Sequence, residues 1–123
     1  MYKLNVTTSF SGAHNLKGYP GECKYLHGHN WKVRVQLVAE KTDELGMAID
    51  FRIVKELMND LIGKFDHKYI NDLEWFKVQN PTSENIAKVI FDELHKAFEN
   101  KNVSLDEVEI WESDFTSIIY NGK

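Results

Sequence analysis

Apolar and polar positions alternate over residues 2–11, with Leu4, Val6, Thr8 and Phe10 on one side and Lys3, Asn5 and Thr7 on the other. A period of two predicts a strand. Gly12, Gly18, Pro20 and Gly21 then punctuate an irregular loop. The second alternation is clearer: Trp31, Val33, Val35 and Leu37 share a face, and Lys32, Arg34 and Gln36 share the other. Asp50 fits a helix N-cap, and Ile53, Val54, Leu57, Met58, Leu61, Ile62 and Phe65 follow at helical spacing. A second helix is predicted after Asn80-Pro81, capped by Thr82 or Ser83, with Ile86, Val89, Ile90, Leu94, Ala97 and Phe98 on its core face. Val108, Ile110 and Glu112 alternate against Glu107, Glu109 and Trp111 in a third strand, and the β-branched run Thr116–Tyr120 suits a fourth. Strand, strand, helix, helix, strand, strand is the order of an α+β domain with hairpin-like ends. Nothing reads as a linker, so residues 1–123 are expected to form one domain. Open sheet edges need covering, and pairing between subunits is one remedy, so a homo-oligomer is expected.

Composition narrows the function classes. A net charge of −4 argues against broad nucleic-acid binding. No apolar run approaches the roughly 20 residues that cross a bilayer, and Met1–Val6 lacks the apolar centre of a signal peptide. A single cysteine cannot form an intrachain disulfide, which points to a free thiol in a cytoplasmic protein.

The candidate chemistry begins at Cys23-Lys-Tyr-Leu-His27-Gly-His29. In a strand, His27 and His29 would share a face with Cα atoms about 6.6 Å apart, close enough to grip one metal ion. Their parity matches Trp31 and Val33, so both face inward unless a bulge intervenes. A hairpin across residues 15–26 would add His14; otherwise His14 is a loop residue with a satisfied hydrogen bond. Three histidines with one open position is the pattern of catalytic zinc. Cys23 lies in a Gly-Glu-Cys-Lys loop rather than an apolar run. Lys24 and a nearby metal would both favour its thiolate, a base or nucleophile. Asp66-His67 reads either as a carboxylate-oriented proton shuttle or as a solvated helix end. The shuttle needs a backbone turn, because adjacent residues tend to point apart. Glu112 shares the face of Val108 and Ile110, so its carboxylate points toward the core or a pocket unless the strand stops at Trp111. A planar ligand with adjacent N–H donors would satisfy both of its oxygens. Thr82, Ser83 and Glu84 suit a cap, and free N–H groups there could also meet an anion.

Taken in order, Phe10-Ser-Gly-Ala-His14, Cys23-x-x-x-His27-Gly-His29, Gly46-Met-x-x-Asp50-Phe51, Asp66-His67-x-x-x-Asn71, Asn80-Pro-Thr-Ser-Glu84 and Trp111-Glu112-Ser113 resemble the 6-pyruvoyl-tetrahydropterin synthase / 6-carboxytetrahydropterin synthase family across nearly the whole chain. The resemblance implies the T-fold (tunnelling fold), a four-stranded antiparallel sheet with two helices between strand pairs. It also implies barrels built from several subunits, commonly a hexamer of two trimers. It makes His14, His27 and His29 ligands of Zn2+ and Cys23 the catalytic proton acceptor. Asp66 and His67 become an acid/base relay acting across an interface. Glu112 anchors the amino-pyrimidine edge of a pterin and joins the relay, while Thr82, Ser83 and Glu84 are pterin contacts lent by a neighbouring subunit. Members with glutamate in place of the cysteine have altered activity, and Cys23 sets this chain apart from them. The implied substrate is 7,8-dihydroneopterin triphosphate, with no nucleic-acid or membrane partner. Side-chain cleavage would give 6-carboxy-5,6,7,8-tetrahydropterin on the way to queuosine, and triphosphate elimination would give 6-pyruvoyl-tetrahydropterin. The short chain and Trp111-Glu112-Ser113 resemble the bacterial 6-carboxytetrahydropterin synthases more. The rivals are a zinc-containing pterin binder without catalysis and an aldolase acting on a dihydroneopterin without triphosphate.

Overall fold

Two long strands, β1 (Tyr2–His14) and β2 (His27–Ala39), form the centre of the fold. A computed structural model describes residues 1–21 and 24–123. β1 and β2 pair antiparallel without interruption from Tyr2↔Ala39 to His14↔His27. The alternation read from the sequence is therefore real but longer than predicted. Gly12 does not end the first strand; it pairs with His29 inside it.

α1 (Phe51–Ile62) follows, and Asp50 caps it by accepting from the Arg52 N–H at 2.8 Å. Val54, Met58, Leu61 and Ile62 are its buried stripe. Ile53, expected in the core, is 41 % exposed, because it sits beside that stripe rather than within it. The helix stops at Gly63, and Phe65 reaches the core from the turn beyond. The chain then makes a two-residue strand, β3 (Lys68–Tyr69), parallel to β1, and two short 3-10 turns, Ile70–Asp72 and Glu74–Phe76. α2 (Ser83–Phe98) is capped by Thr82, whose side chain accepts from the Asn85 N–H. Its buried face is broader than predicted and includes Ala87 and Phe91. Phe91 packs edge-on against Tyr120, a residue of the last strand.

β4 (Ser104–Ser113) and β5 (Thr116–Tyr120) complete a sheet of order β3-β1-β2-β4-β5. The expected four-stranded sheet thus has a fifth strand, too short to leave an alternating pattern. β4 pairs with β2 but shifts register between Gln36 and Leu37. Asp106 is the extra residue, and the bulge allows Leu105 and Val108, three apart, to face the core together.

Both helices cover one face of the sheet, meeting Val6, Phe10, Trp31, Val33, Val35, Leu37, Val108 and Ile110. The other face is polar, with Arg34 tied to Glu107, Glu109 and Asn5. The core extends unbroken along the helix-covered face to the β1–β2 end that carries the histidines. Ile90 is fully buried against this sheet, so Ile90→Ala is expected to cost about 2–5 kcal/mol. Urea unfolding should show a lower midpoint at unchanged slope, and an unchanged midpoint would contradict this account of the core.

A candidate metal centre at the end of the first hairpin

The strand register assembles the centre. His14 lies directly opposite His27, and His29 lies opposite Gly12 on the same face. The absence of a side chain at Gly12 matters, since a Cβ there would come within 2.9 Å of Ile70 Cδ1. The ring centroids stand 4.5 Å apart for His14 and His27, 4.8 Å for His27 and His29, and 5.3 Å for His14 and His29. Trp31 forms the floor: fully buried, it meets both His14 and His29 edge-on and donates its indole N–H to the Gly12 carbonyl. Glu112, the next residue on the inner face of β4 after Ile110, brings its carboxylate to the same spot. One ligand atom from each of His14, His27, His29 and Glu112 fits within 4.8 Å of the others.

Hydrogen bonds set the imidazole tautomers. His14 Nδ1 donates to the Pro81 carbonyl and His27 Nδ1 to the Tyr25 carbonyl, each at 2.8 Å. In the neutral ring this leaves a lone pair on Nε2. His14 Nε2 and His29 Nε2 are buried and have no hydrogen-bond partner. Each lies 3.3 Å from Glu112 Oε1, a separation without hydrogen-bond alignment. Lone pairs and a carboxylate oxygen converging on one point form a cation site. Three imidazole nitrogens and a carboxylate, with the Nδ1 groups of His14 and His27 held by backbone carbonyls, fit a divalent metal of the zinc type.

Burial is the main cause that holds the His14 and His29 imidazoles below their ordinary pKa, with Glu112 acting in the opposite direction on both. His14, 1 % exposed, is not the loop residue that sequence alone left open. No bulge separates His27 from His29.

Asp66 and His67 do form a pair. His67 adopts φ 57°, the turn that brings adjacent side chains together, and its Nδ1 lies 3.0 Å from Asp66 Oδ2. The other Asp66 oxygen accepts the Ser11 N–H at 2.9 Å, the leading cause of its lowered pKa. The pair follows the end of α1, where the Asp66 N–H donates to the Ile62 carbonyl at 3.1 Å. His67 borders a groove of about 470 Å3 with Ser11, Gly12, Ala13, Gly28, His29 and Asn30, so the groove reaches one member of the cluster, His29.

Thr82 is the helix cap, and the Asn80–Pro81 segment before it lies against His14 of the same chain. Ser83 is half-buried and Glu84 exposed at the start of α2. Cys23 lies outside the described residues. Sequence reading overlooked three contributors: the Pro81 carbonyl, the Trp31 floor, and Glu112 as a member of the cluster itself. Glu112 and Trp31 left a signal, their inward parity; the Pro81 carbonyl left none.

The fold and this centre define a T-fold enzyme of the pterin synthase type. The structure superposes on 6-pyruvoyl tetrahydropterin synthase from Caenorhabditis elegans with a TM-score of 0.90 and 30 % identity, covering 99 % of this chain and 96 % of that one. The Plasmodium vivax 6-pyruvoyl tetrahydropterin synthase structure shares the fold, with a TM-score of 0.75 at 21 % identity and 98 % coverage of both chains. Residues 3–123 match the 6-pyruvoyl tetrahydropterin synthase family, and the chain belongs to it. Among similar proteins, the 6-carboxy-5,6,7,8-tetrahydropterin synthase of Rickettsia bellii is 30 % identical over 92 % of this chain and 95 % of its own length. That of Synechocystis is 37 % identical over 79 % and 78 %.

The lowered imidazole pKa values fix a sign for the metal-free protein. Unfolded imidazoles bind protons near pH 6.5 and the folded ones only below it, so the folded state holds fewer protons in between. Stability is complete above that range and is lost as pH falls through the folded values. Chelated protein is expected to melt at a lower temperature at pH 5.5 than at pH 7.5. Equal melting temperatures in His14→Gln and the parent at both values would remove His14 from this account.

Proposed function

We propose that residues 1–123 form one T-fold domain of a cytoplasmic, zinc-dependent enzyme that converts 7,8-dihydroneopterin triphosphate to 6-carboxy-5,6,7,8-tetrahydropterin, acetaldehyde and triphosphate. The observation that carries this reading is the trio of inward-facing imidazoles with two buried, unpartnered Nε2 atoms, in a chain whose bacterial relatives bear that enzyme's name. His14, His27 and His29 would hold the metal. Zinc at that place supplies Lewis acidity that raises the acidity of a bound substrate's hydroxyls and polarises the neighbouring C–H bonds.

The remaining roles belong to side chains. Cys23 accepts a proton as its thiolate. His67, oriented by Asp66, delivers or removes the other proton; its turn geometry and exposed ring support a shuttle. No external redox cofactor is required, because the substrate's side chain is oxidised as its ring is reduced. Glu112 accepts from the amino-pyrimidine edge of the pterin, a role that its half-buried carboxylate supports. Thr82, Ser83 and Glu84 touch the pterin from a neighbouring subunit. The sheet edges at β3 and β5 are open to pairing between subunits, which supports an oligomer with shared sites, a hexamer of two trimers.

A second reading, triphosphate elimination to 6-pyruvoyl-tetrahydropterin, is favoured by the likeness to the Caenorhabditis elegans enzyme. Incubation of the pure protein with dihydroneopterin triphosphate and identification of products by mass separates the two. Acetaldehyde with a carboxypterin is expected; a pyruvoyl product moves the assignment, and metal-bound protein without turnover makes it a binder. Cys23→Ala is expected to keep its metal and lose most turnover, whereas His27→Ala loses both. Full activity in Cys23→Ala would sink the proton-acceptor role.

A further inference from the structure

Glu112 has two prospective partners. Its carboxylate stands within the histidine cluster, and the same carboxylate would anchor the pterin. Glu112 Oε1 lies 3.3 Å from His14 Nε2 and 3.3 Å from His29 Nε2. Donor atoms around a tetrahedral zinc, at bond lengths of about 2.0–2.1 Å, stand roughly 3.3–3.4 Å from one another. Both separations therefore match the edge of a ligand tetrahedron. Neither is a hydrogen bond, since both Nε2 atoms are buried without a hydrogen-bond partner. His14 Nε2 presents a lone pair, because its Nδ1–H is given to the Pro81 carbonyl. A lone pair and a carboxylate oxygen at this range repel unless a cation lies between them. Among the described residues, the two imidazoles are the only ion-pair partners of Glu112, and no lysine or arginine supplies that charge.

The backbone leaves this side chain free to change partners. Trp111, opposite Lys32, makes the last pair between β4 and β2, and Glu112 lies beyond it. On the other side, the β4–β5 register shifts between Trp111 and Ser113, which makes Glu112 the extra residue of a bulge. A bulge releases a residue from the ladder and re-aims its side chain. The Glu112 side chain is 36 % exposed against 1 % for His14, so a ligand in solvent can reach the carboxylate while it touches the cluster.

We propose that Glu112 is a fourth protein ligand of the metal in the substrate-free enzyme, and that it leaves when the amino-pyrimidine edge of the pterin engages both carboxylate oxygens. Until then the ion keeps four protein donors, the closed arrangement of structural zinc. The substrate thus opens the position at which its own side chain is activated. Only the metal–carboxylate bond breaks; the carboxylate keeps its charge and passes from the cation to the N–H donors of the ring. The exchange rests on the anchoring role proposed for Glu112, whereas the resting ligand follows from the cluster alone. The two partners oppose each other by linkage, so ring binding loosens the carboxylate–metal contact by the factor by which that contact weakens ring binding.

The test uses the full chain and Glu112→Gln, each loaded with Zn2+ or with Co2+, whose visible absorption reports its ligands. Unsubstituted pterin is the probe, because it has the amino-pyrimidine edge and no side-chain hydroxyls to reach the metal. Parent and variant are expected to differ in Co2+ spectrum. In chelator competition the variant should bind zinc at least about tenfold more weakly, the lower end of what losing even an indirect partner costs. Pterin should move the parent's spectrum toward that of Glu112→Gln and leave the variant's unchanged. Coincident spectra of parent and variant, or equal zinc affinities, overturn the ligand role. Pterin that binds, as its fluorescence reports, without altering the parent's spectrum overturns the exchange, as does an equal change in the variant. If Glu112→Gln does not fold, the pterin titration of the parent decides alone. If pterin does not bind, the anchoring role fails and the exchange with it, while the two spectra still decide whether Glu112 holds the metal.

Discussion

The unbroken antiparallel register between β1 and β2 is the constraint on which the rest depends. Thirteen consecutive pairs run from Tyr2↔Ala39 to His14↔His27. A slip of one residue would turn an entire strand's side chains to the opposite face. That would expose Phe10 or Trp31, depending on which strand turned, and separate His14 from His27 and His29, so the burial that stabilises the hairpin also specifies the centre. Val6, Phe10, Trp31, Val33, Val35 and Leu37, none more than 6 % exposed, all oppose such a slip. The histidines need little stabilising energy of their own, because the alignment is fixed by residues they do not touch.

Electrostatics works against that packing. Two buried imidazole nitrogens without partners and a carboxylate nearby are a local conflict, tolerated because the surrounding core is large. Such conflicts concentrate at functional sites. The Pro81 and Tyr25 carbonyls direct the conflict, turning Nε2 rather than Nδ1 of His14 and His27 toward the shared point. The candidate metal centre thus draws on three separate parts of the chain: the first hairpin, the segment before α2 and the end of β4.

Much of this was legible in sequence because period-two and helical patterns are strong where one face is buried. Strand parity placed His27, His29 and Glu112 correctly, and Asp50 and Thr82 cap as their residue types predict. What was hidden depends on backbone irregularity. β3 has two residues and no pattern. The Asp106 bulge breaks alternation between Leu105 and Val108, and the left-handed turn at His67 is carried by a residue that gives no local cue. The side-chain amides of Asn71 and Asn80, which bond the backbone of Asn15 and Lys17, were invisible for another reason: their partners are main-chain groups, which every sequence possesses.

The pinning of both loop ends separates geometry from length. His14 and His27 are held by strand pairing, and Asn15 and Lys17 by the side-chain amides of Asn71 and Asn80, so chain between Gly18 and Gly21 carries none of the histidines' alignment. Extra residues there would face only the entropy of a longer closed loop, about 0.6 kcal/mol for each doubling. The segment is consequently where this architecture can acquire a longer, differently charged rim and alter what approaches the histidine cluster. Its ligands would stay where the hairpin puts them.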